Sequence, residues 1–442
     1  MDGLRRFQDG RVTALAAALG ALPADAKRVV VGFSGGRDSS ALLDVCCQVF
    51  APERVLALHV DHGLDAAAAD WAAFCADRAQ AYGIAFKRFN VAVDVGAGGL
   101  EAGARAARYG AIGDWLSADD VFITAHHAED QAQTVLIQAL RGAGVRGLAG
   151  MPVWRALGAG RHWRPWLSIA AADVARHAEE SGLAWIDDPS NRDTARDRGY
   201  LDAEVWPALI AGWPAAARML ARVGERAGEA REALDQLAAI DLAAAQVADD
   251  RVSIASLGAL SSPRRRETLL AWCRARGVSL PDPGQLEAIE RLLSCREHNS
   301  PCVRVADYEI RRFDGQLFLM AALGAPPDPA TRLDWSGRRD LVLPGDAGRL
   351  VTDSQATGRG HGLVVCFRCG GERLVRDDGH SQPLKDFCQQ RRIAPWIRAR
   401  LPLIYHGGRL VAVADRWIAP GLCDALAGVL TRIKWRHGLT GD

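Results

Sequence analysis

Two rhythms of apolar and polar positions alternate along the first third of the chain. Short β-branched runs at 29–33, 55–60, 84–91 and 121–125 are bounded by turn residues and read as buried strands. Between them, Ala-rich stretches at 39–49, 65–82, 100–116 and 128–140 carry apolar residues at helical spacing. Leu42, Val45, Cys46 and Val49, for example, share one helix face. Strand and helix in alternation predict a Rossmann-like parallel sheet with helices on both faces.

The rhythm changes further on. From about Tyr200 to Leu323 the chain is helix-rich, with a long amphipathic stretch over 216–242, and "RRFDGQLFLM" predicts a hairpin turning at Asp314-Gly315. A Pro-rich linker begins at Gly324, and from about Asp340 short strands, many glycines and one helix near 383–391 read as a small β-rich module. Three domains are expected: 1–215 α/β, 216–325 a helical connector, and 340–442 β-rich. Leu4, Phe7, Leu15 and Leu19 predict an amphipathic first helix; Asp9 and Arg11 argue against a signal peptide, and no apolar run is long enough to span a bilayer.

A length of 442 residues, 49% hydrophobic and 24% charged, fits several ordinary globular domains. The net charge of +1 advertises no polyanionic partner, but residues 361–442 hold 13 Arg and Lys against 7 Asp and Glu. Nearly all cations are Arg, which forks onto phosphate where Lys acts as a point charge. Ten cysteines at irregular spacing do not make a disulfide framework and suit a reducing cytoplasm. The lone Cys366-x-x-Cys369 lacks the further ligands a zinc site needs.

The candidate chemistry gathers at strand ends. Ser34-Gly35-Gly36-Arg37-Asp38-Ser39 joins the first strand to the first sheet helix, where glycines let backbone N–H groups approach an anion. It lacks the Gly-Lys-Ser/Thr of a Walker loop. Ser or Asp capping of the helix explains one polar residue there, not four around two glycines. "HVDHGL", with His59 and His62, ends the second strand, and "TAHHAEDQAQT" ends a later one. All three clusters fall at carboxyl ends of parallel strands, where open α/β sheets bind ligands. Glu101, Arg105 and Arg108 share a face on one helix, and His126, Asp130, Gln133 and Thr134 on the next. Gly142-x-Gly144-x-x-Gly147 follows a helix rather than a strand, so it is not a dinucleotide fingerprint.

Ser-Gly-Gly-x-Asp-Ser resembles the loop of the N-type ATP pyrophosphatases, which cleave ATP between the α- and β-phosphates. With "HVDHGL", "EAxAR…RY", "TAHHxxDQ", "LRGxGxxGLAGM", "RPWL" and "WIDDPSN" following in order, the whole chain resembles the bacterial tRNA(Ile)-lysidine synthetases. Its end is similar to the tRNA-docking module of the long form. The resemblance implies that ATP adenylates O2 of the wobble cytidine of tRNA(Ile) with a CAU anticodon, and that free L-lysine then displaces AMP at C2. It further implies that Ser34, Gly35, Gly36, Arg37, Asp38, Ser39, His59 and His62 bind ATP, with Asp38 on Mg²⁺. Asp38, Arg105 and Asp130 would be catalytic. Glu101, Arg108, His126, Glu129 and Gln133 would line the lysine and cytidine pocket, and the 187–191 loop would close over it. Arg391, Arg392, Trp396 and Arg398 would contact tRNA, the Trp stacking a base. A cytoplasmic enzyme without membrane partners is implied, and a homodimer stays open. A tRNA thiolase on the same loop, or a tRNA-binding relative without catalysis, are the alternatives.

The chain departs from this pattern twice. It has Glu129-Asp130-Gln131-Ala132-Gln133 where Asp-Asp-Gln-x-Glu is usual. Gln133 would forfeit part of a charge-assisted hydrogen bond of about 1.5–3 kcal/mol to the lysine ammonium, roughly 10- to 100-fold in affinity. Arg198-Gly199-Tyr200-Leu201-Asp202 stands for Arg-Asn-x-x-Arg, and Asp202 is expected to repel the RNA backbone.

Overall fold

The computed structural model describes residues 13–61, 67–92, 99–187, 197–295, 301–352 and 362–438, with the side chains of 99–102 excepted. The chain forms two compact units, 1–233 and 234–442.

In the first unit a six-stranded sheet runs in the order β3-β2-β1-β4-β6-β5. Its strands are β1 (Arg28–Gly32), β2 (Val55–Asp61), β3 (Ala85–Asn90), β4 (Asp120–Ile123), β5 (Trp154–Leu157) and β6 (Gly160–Trp163). All neighbours are parallel except the β5–β6 hairpin, which the sequence pattern did not announce. The helices are α1 (Ala14–Ala18), α2 (Arg37–Val49), α3 (Ala68–Ala81), α4 (Gly99–Trp115), α5 (Ala128–Leu140), α6 (Val145–Leu148) and α7 (Ala171–Glu180). The expected first helix lies mostly outside the described residues.

Successive side chains of a strand point to opposite faces, and both faces here are apolar. Val29, Val31, Val121 and Ile123 pack with Leu42, Val45 and Val174 in one core. Val30, Leu56, Leu58 and Phe122 pack with Ile112 and Leu116 of α4 in the other. Helices therefore cover both faces, and chemistry is left to the strand ends. Strand order reverses between β1, followed outward by β2, and β4, which returns on the other side. The crevice between the carboxyl ends of β1 and β4 is the position where such sheets bind ligands. After α7, α8 (Asp197–Tyr200) continues into a single π-turn, Leu201–Val205, and then α9 (Trp206–Gly212).

The long helix expected over 216–242 is α10 (Ala216–Ala245), and the division between units falls within it. The second unit has two cores. Leu257, Leu269, Trp272, Ile289, Ile310 and Leu319 build the first, between three helices and a five-stranded antiparallel sheet. The expected hairpin forms two strands of that sheet, pairing Phe313 with Gln316, and Asp314 and Gly315 both take positive φ, as a two-residue turn demands. This region is thus less purely helical than its sequence suggested. The second core, around Val365, Leu403, Val411 and Trp435, underlies the β-rich end of the chain. No described helix is long and apolar enough to cross a membrane.

Candidate active site

Residues 34–39 turn from β1 into α2. The N-cap of α2 is Gly36, and no side chain caps it. The serines bond within the loop instead: Ser39 Oγ donates to Gly36 O at 2.9 Å and lies 3.1 Å from Ser34 Oγ, which accepts from Gly36 N–H at 3.3 Å. The first N–H groups of α2 thus keep their positive partial charge for a ligand. Gly35 sits at φ +86°, where a side chain is strained, and an added Cβ would meet Ile186 Cδ1 at 3.0 Å and Cys75 Sγ at 3.3 Å. Ile186 N–H donates to Gly35 O at 2.9 Å, so the segment leading into the 187–191 loop lies on this turn. Of that loop only Asp187 is described, and it is exposed.

Across the crevice, α5 starts at His127, a residue the sequence reading passed over in favour of His126. His127 is the N-cap of α5, and its backbone N–H donates to Asp130 Oδ2 at 3.0 Å. Its ring meets three carboxylates: Asp38 at 3.7 Å, Glu129 at 3.3 Å and Asp130 at 3.5 Å. Burial works against a charged ring here, but the hydrogen bonds to Asp38 and Glu129 and the charge of Asp130 outweigh it and raise His127 to about 10. His127 is therefore an imidazolium. The Asp130 N–H, 3.4 Å from Nδ1, is a long contact that the protonated ring forgoes. Burial likewise pushes Asp38 upward, but His127 and Arg37, whose Nε donates at 3.0 Å, prevail and hold it below the usual carboxylate range. The Asp38–His127 pair spans the point of strand reversal. Its only sequence signal was two adjacent histidines at a strand end, of which either could have been the one.

His126 has the opposite character. Burial first, and then Arg164, Arg198 and Arg105, drive it well below its ordinary value, so it is neutral. Its tautomer follows from a relay of hydrogen bonds. Arg155 Nε and Arg164 Nη2 each lie 3.1 Å from His162 Nδ1. Guanidinium groups only donate, so Nδ1 accepts and His162 Nε2 carries the proton. Nε2 then donates to Thr124 Oγ1 at 2.9 Å, and the Thr124 hydroxyl donates to His126 Nδ1 at 2.7 Å. His126 is left with its proton on Nε2.

Cations concentrate around this relay. Arg105 and Arg155 lie over the Tyr109 ring at 5.1 and 4.2 Å. Arg164, almost wholly buried, donates to Pro152 O at 2.8 Å, and burial lowers it to about 10. Arg155 Nη2 and Arg164 Nε are buried without a hydrogen-bond partner. Positive charge without a described carboxylate beside it suits an anion. Arg155 escaped motif reading because it lies in the unexpected hairpin, and Arg164, which opens the "RPWL" motif just beyond it, had been given no role.

The other expected residues are distributed as follows. His59 is buried at the end of β2, its Nδ1 3.0 Å from Phe33 O, and burial lowers it, so it is neutral. His62 lies outside the described residues, as does the side chain of Glu101. Arg108, on the same helix as Arg105, is exposed. Glu129 accepts from Ala171 N–H at 2.7 Å, which ties α5 to the start of α7, while the same carboxylate stays 3.3 Å from the His127 ring. Asp130 is paired with Arg198. Gln133, buried, donates through Nε2 to Asp202 Oδ1 at 2.5 Å, so the two sequence departures are one structural feature.

In the second unit, Trp396 corrects an expectation. It is 3% exposed, edge-on to Phe313 and Phe318 at 5.9 and 5.3 Å, and belongs to the core rather than to a base-stacking surface. Its apolar neighbours Ile393 and Ile397 were the overlooked signal. Arg398 donates to Ile393 O at 2.6 Å, while Arg391 and Arg392 remain exposed.

Comparison with known proteins agrees with this geometry. A PP-loop domain matches residues 11–209, a TilS substrate binding domain 253–318, and a TilS substrate C-terminal domain 363–435. A tRNA(Ile)-lysidine synthase of Xanthomonas campestris is 37% identical over 92% of this chain and 95% of its own length. The chain belongs to the tRNA(Ile)-lysidine synthase family. A tRNA(Ile)-lysidine synthase of Ralstonia nicotianae is 39% identical over 94% of each chain. Among solved structures, a U34-tRNA thiolase from Methanococcus maripaludis is 20% identical with a TM-score of 0.39, covering 49% of this chain and 78% of that one. The PP-loop domain match supports the use of ATP, and the 34–39 turn lies within the matched residues.

Proposed function

We propose that the protein ligates free L-lysine to C2 of the wobble cytidine of tRNA(Ile) bearing a CAU anticodon. Cytidine O2 attacks the α-phosphorus of ATP and pyrophosphate leaves. The ε-amine of lysine then adds to C2, AMP departs with the former O2, and the amine gives up its protons. The observation that carries this reading is the Asp38–His127 contact across the strand reversal, which joins the uncapped 34–39 turn to the polar edge of α5.

The residues divide the work by charge. The 34–39 N–H groups take the pyrophosphate end of ATP. Arg105, Arg155 and Arg164 offset negative charge that develops on the transferring phosphorus. His126, neutral and carrying its proton on Nε2, donates a hydrogen bond without adding charge. Mg²⁺ fits as a partner of Asp38 and the ATP phosphates: no described group of three or more His, Cys, Asp or Glu could hold an ion by itself, and Mg²⁺ commonly binds one or two carboxylates with phosphate oxygens. When bound it neutralises phosphate charge.

A thiolase needs a reactive thiolate, and the catalytic unit offers none. Cys46 and Cys75 are fully buried, and burial raises Cys47 and Cys75 each to about 12. The deciding experiment is AMP release with cognate tRNA and ATP, with and without lysine. Lysine-dependent AMP and a cytidine made heavier by one lysine less water are expected; AMP at the same rate without lysine, and unmodified tRNA, would reject the proposal.

Arg391 and Arg392 are proposed contacts to tRNA phosphate. Changing both to Gln should reduce the slope of log K against log salt by about 1.4–1.8, or 0.7–0.9 for each contact. An unchanged slope would remove them from the interface.

A further inference from the structure

We infer that Asp202, held by Gln133, is the carboxylate that receives an ammonium group of the lysine substrate; the inference rests on the synthase reading above. Two rungs join α5 to α8 and to the π-turn that follows it. In the first, Arg198 pairs with Asp130, and the charges cancel. In the second, the Gln133 amide donates to Asp202, which leaves a full negative charge on the rung.

The other carboxylates at this edge are already engaged. Asp38 has Arg37 and His127, Glu129 has His127 and the Ala171 N–H, and Asp130 has Arg198 and His127. Among the described residues, Asp202 is the carboxylate here with no cation within ion-pair distance. It is also exposed, so a solute can reach it, while its donor Gln133 is buried and fixed. A buried amide that gives its N–H to an exposed carboxylate orients that carboxylate without neutralising it.

The backbone is specialised at the same place. Asp202 lies in the π-turn Leu201–Val205, which interrupts the helix between α8 and α9. A π-turn gives up regular i→i+4 bonding and re-aims its side chains, and such turns recur at functional sites. Gln133 lies one turn along α5 from Asp130 and on the same face, so Asp202 stands on the side of α5 that carries Asp130. Where the resembled pattern has a carboxylate at position 133, this chain has an amide there and a carboxylate across the rung at position 202. Asp202 does not stand in this chain as a stray repulsive charge.

The test is steady-state ligation by the full chain with saturating tRNA and ATP and varied lysine. Asp202→Asn is expected to raise the KM for lysine by about 10- to 100-fold. The KM for ATP and the Kd for tRNA should stay within about threefold. The double variant Q133E/D202N returns a carboxylate to α5 and should recover most of the lost lysine affinity. An unchanged lysine KM in D202N, a main effect on tRNA affinity, or no recovery in the double variant would each overturn the inference. A wild-type enzyme that modifies tRNA without needing lysine would instead defeat the synthase reading, and the inference with it.

Discussion

Asp38→Asn is expected to lower AMP formation at least about a thousandfold, close to 4 kcal/mol of transition-state stabilisation at 1.36 kcal/mol per decade. Asn is nearly isosteric, so the turn keeps its shape. What it loses is charge. Asp38 sits in the first turn of α2, beside N–H groups that no side chain caps, and is held ionised by His127 and Arg37. Without that carboxylate the His127 imidazolium keeps Glu129 and Asp130 but loses its partner across the crevice, and Mg²⁺ arriving with ATP would lose the protein ligand proposed for it. Binding of tRNA, measured by filter retention, should change by less than about threefold. A collapse of tRNA affinity, or AMP formation within tenfold of wild type, would show that Asp38 has been given the wrong role.

Replacing His127 by Asn should weaken both fold and activity, for a different reason. One imidazolium serves Asp38, Glu129 and Asp130. Removing it leaves three carboxylates without their shared cation, at a cost of about 2–3 kcal/mol, the low end for a broken pair because Asp38 is a third exposed and water screens it. The pH dependence has a definite sign. His127 is raised from an ordinary value near 6.5 to about 10, so its contribution is complete below about pH 6.5. It fades as pH rises and is lost above about 10. Asp38 is lowered, so its share is present above about pH 4 and disappears as pH falls further. Urea unfolding of wild type and H127N at pH 6, 8 and 10 should show a stability gap that narrows with pH. A gap that widens towards pH 10 would mean that the ring is neutral in the native protein.

The alternation of strand and helix in the first unit was legible because β1, β2 and β4 are buried on both faces, whereas the edge strand β3, expected to be buried, is mostly exposed. The β5–β6 hairpin was not legible, since its strands are short and interrupted by Trp, Arg and His instead of β-branched residues. That loss hid Arg155 and left Arg164, though part of a quoted motif, without a role, and so hid the relay that fixes His126. The 34–39 turn could be read because glycine, serine and aspartate together have no role in a core. His127 could not be separated from His126 by residue type, as their difference is made by neighbours from α2 and from the start of β6's loop. Arg-rich flanks made Trp396 look like an RNA contact. The deciding fact, two phenylalanines from the 308–321 hairpin packed on its ring, depends on contacts about 80 residues away in sequence.

The relay through Thr124 has a consequence for how activity responds to acid. A histidine that stays neutral and protonated on Nε2 offers the same hydrogen bond at pH 6 as at pH 9, so it puts no inflection into the rate. The group that must change protonation is on the substrate: an amine near 10.4 in free lysine attacks only after it has lost a proton. A rise in rate towards alkaline pH therefore belongs to the nucleophile the enzyme captures, and substituting a less basic lysine analogue should move it, while substituting Thr124 should not.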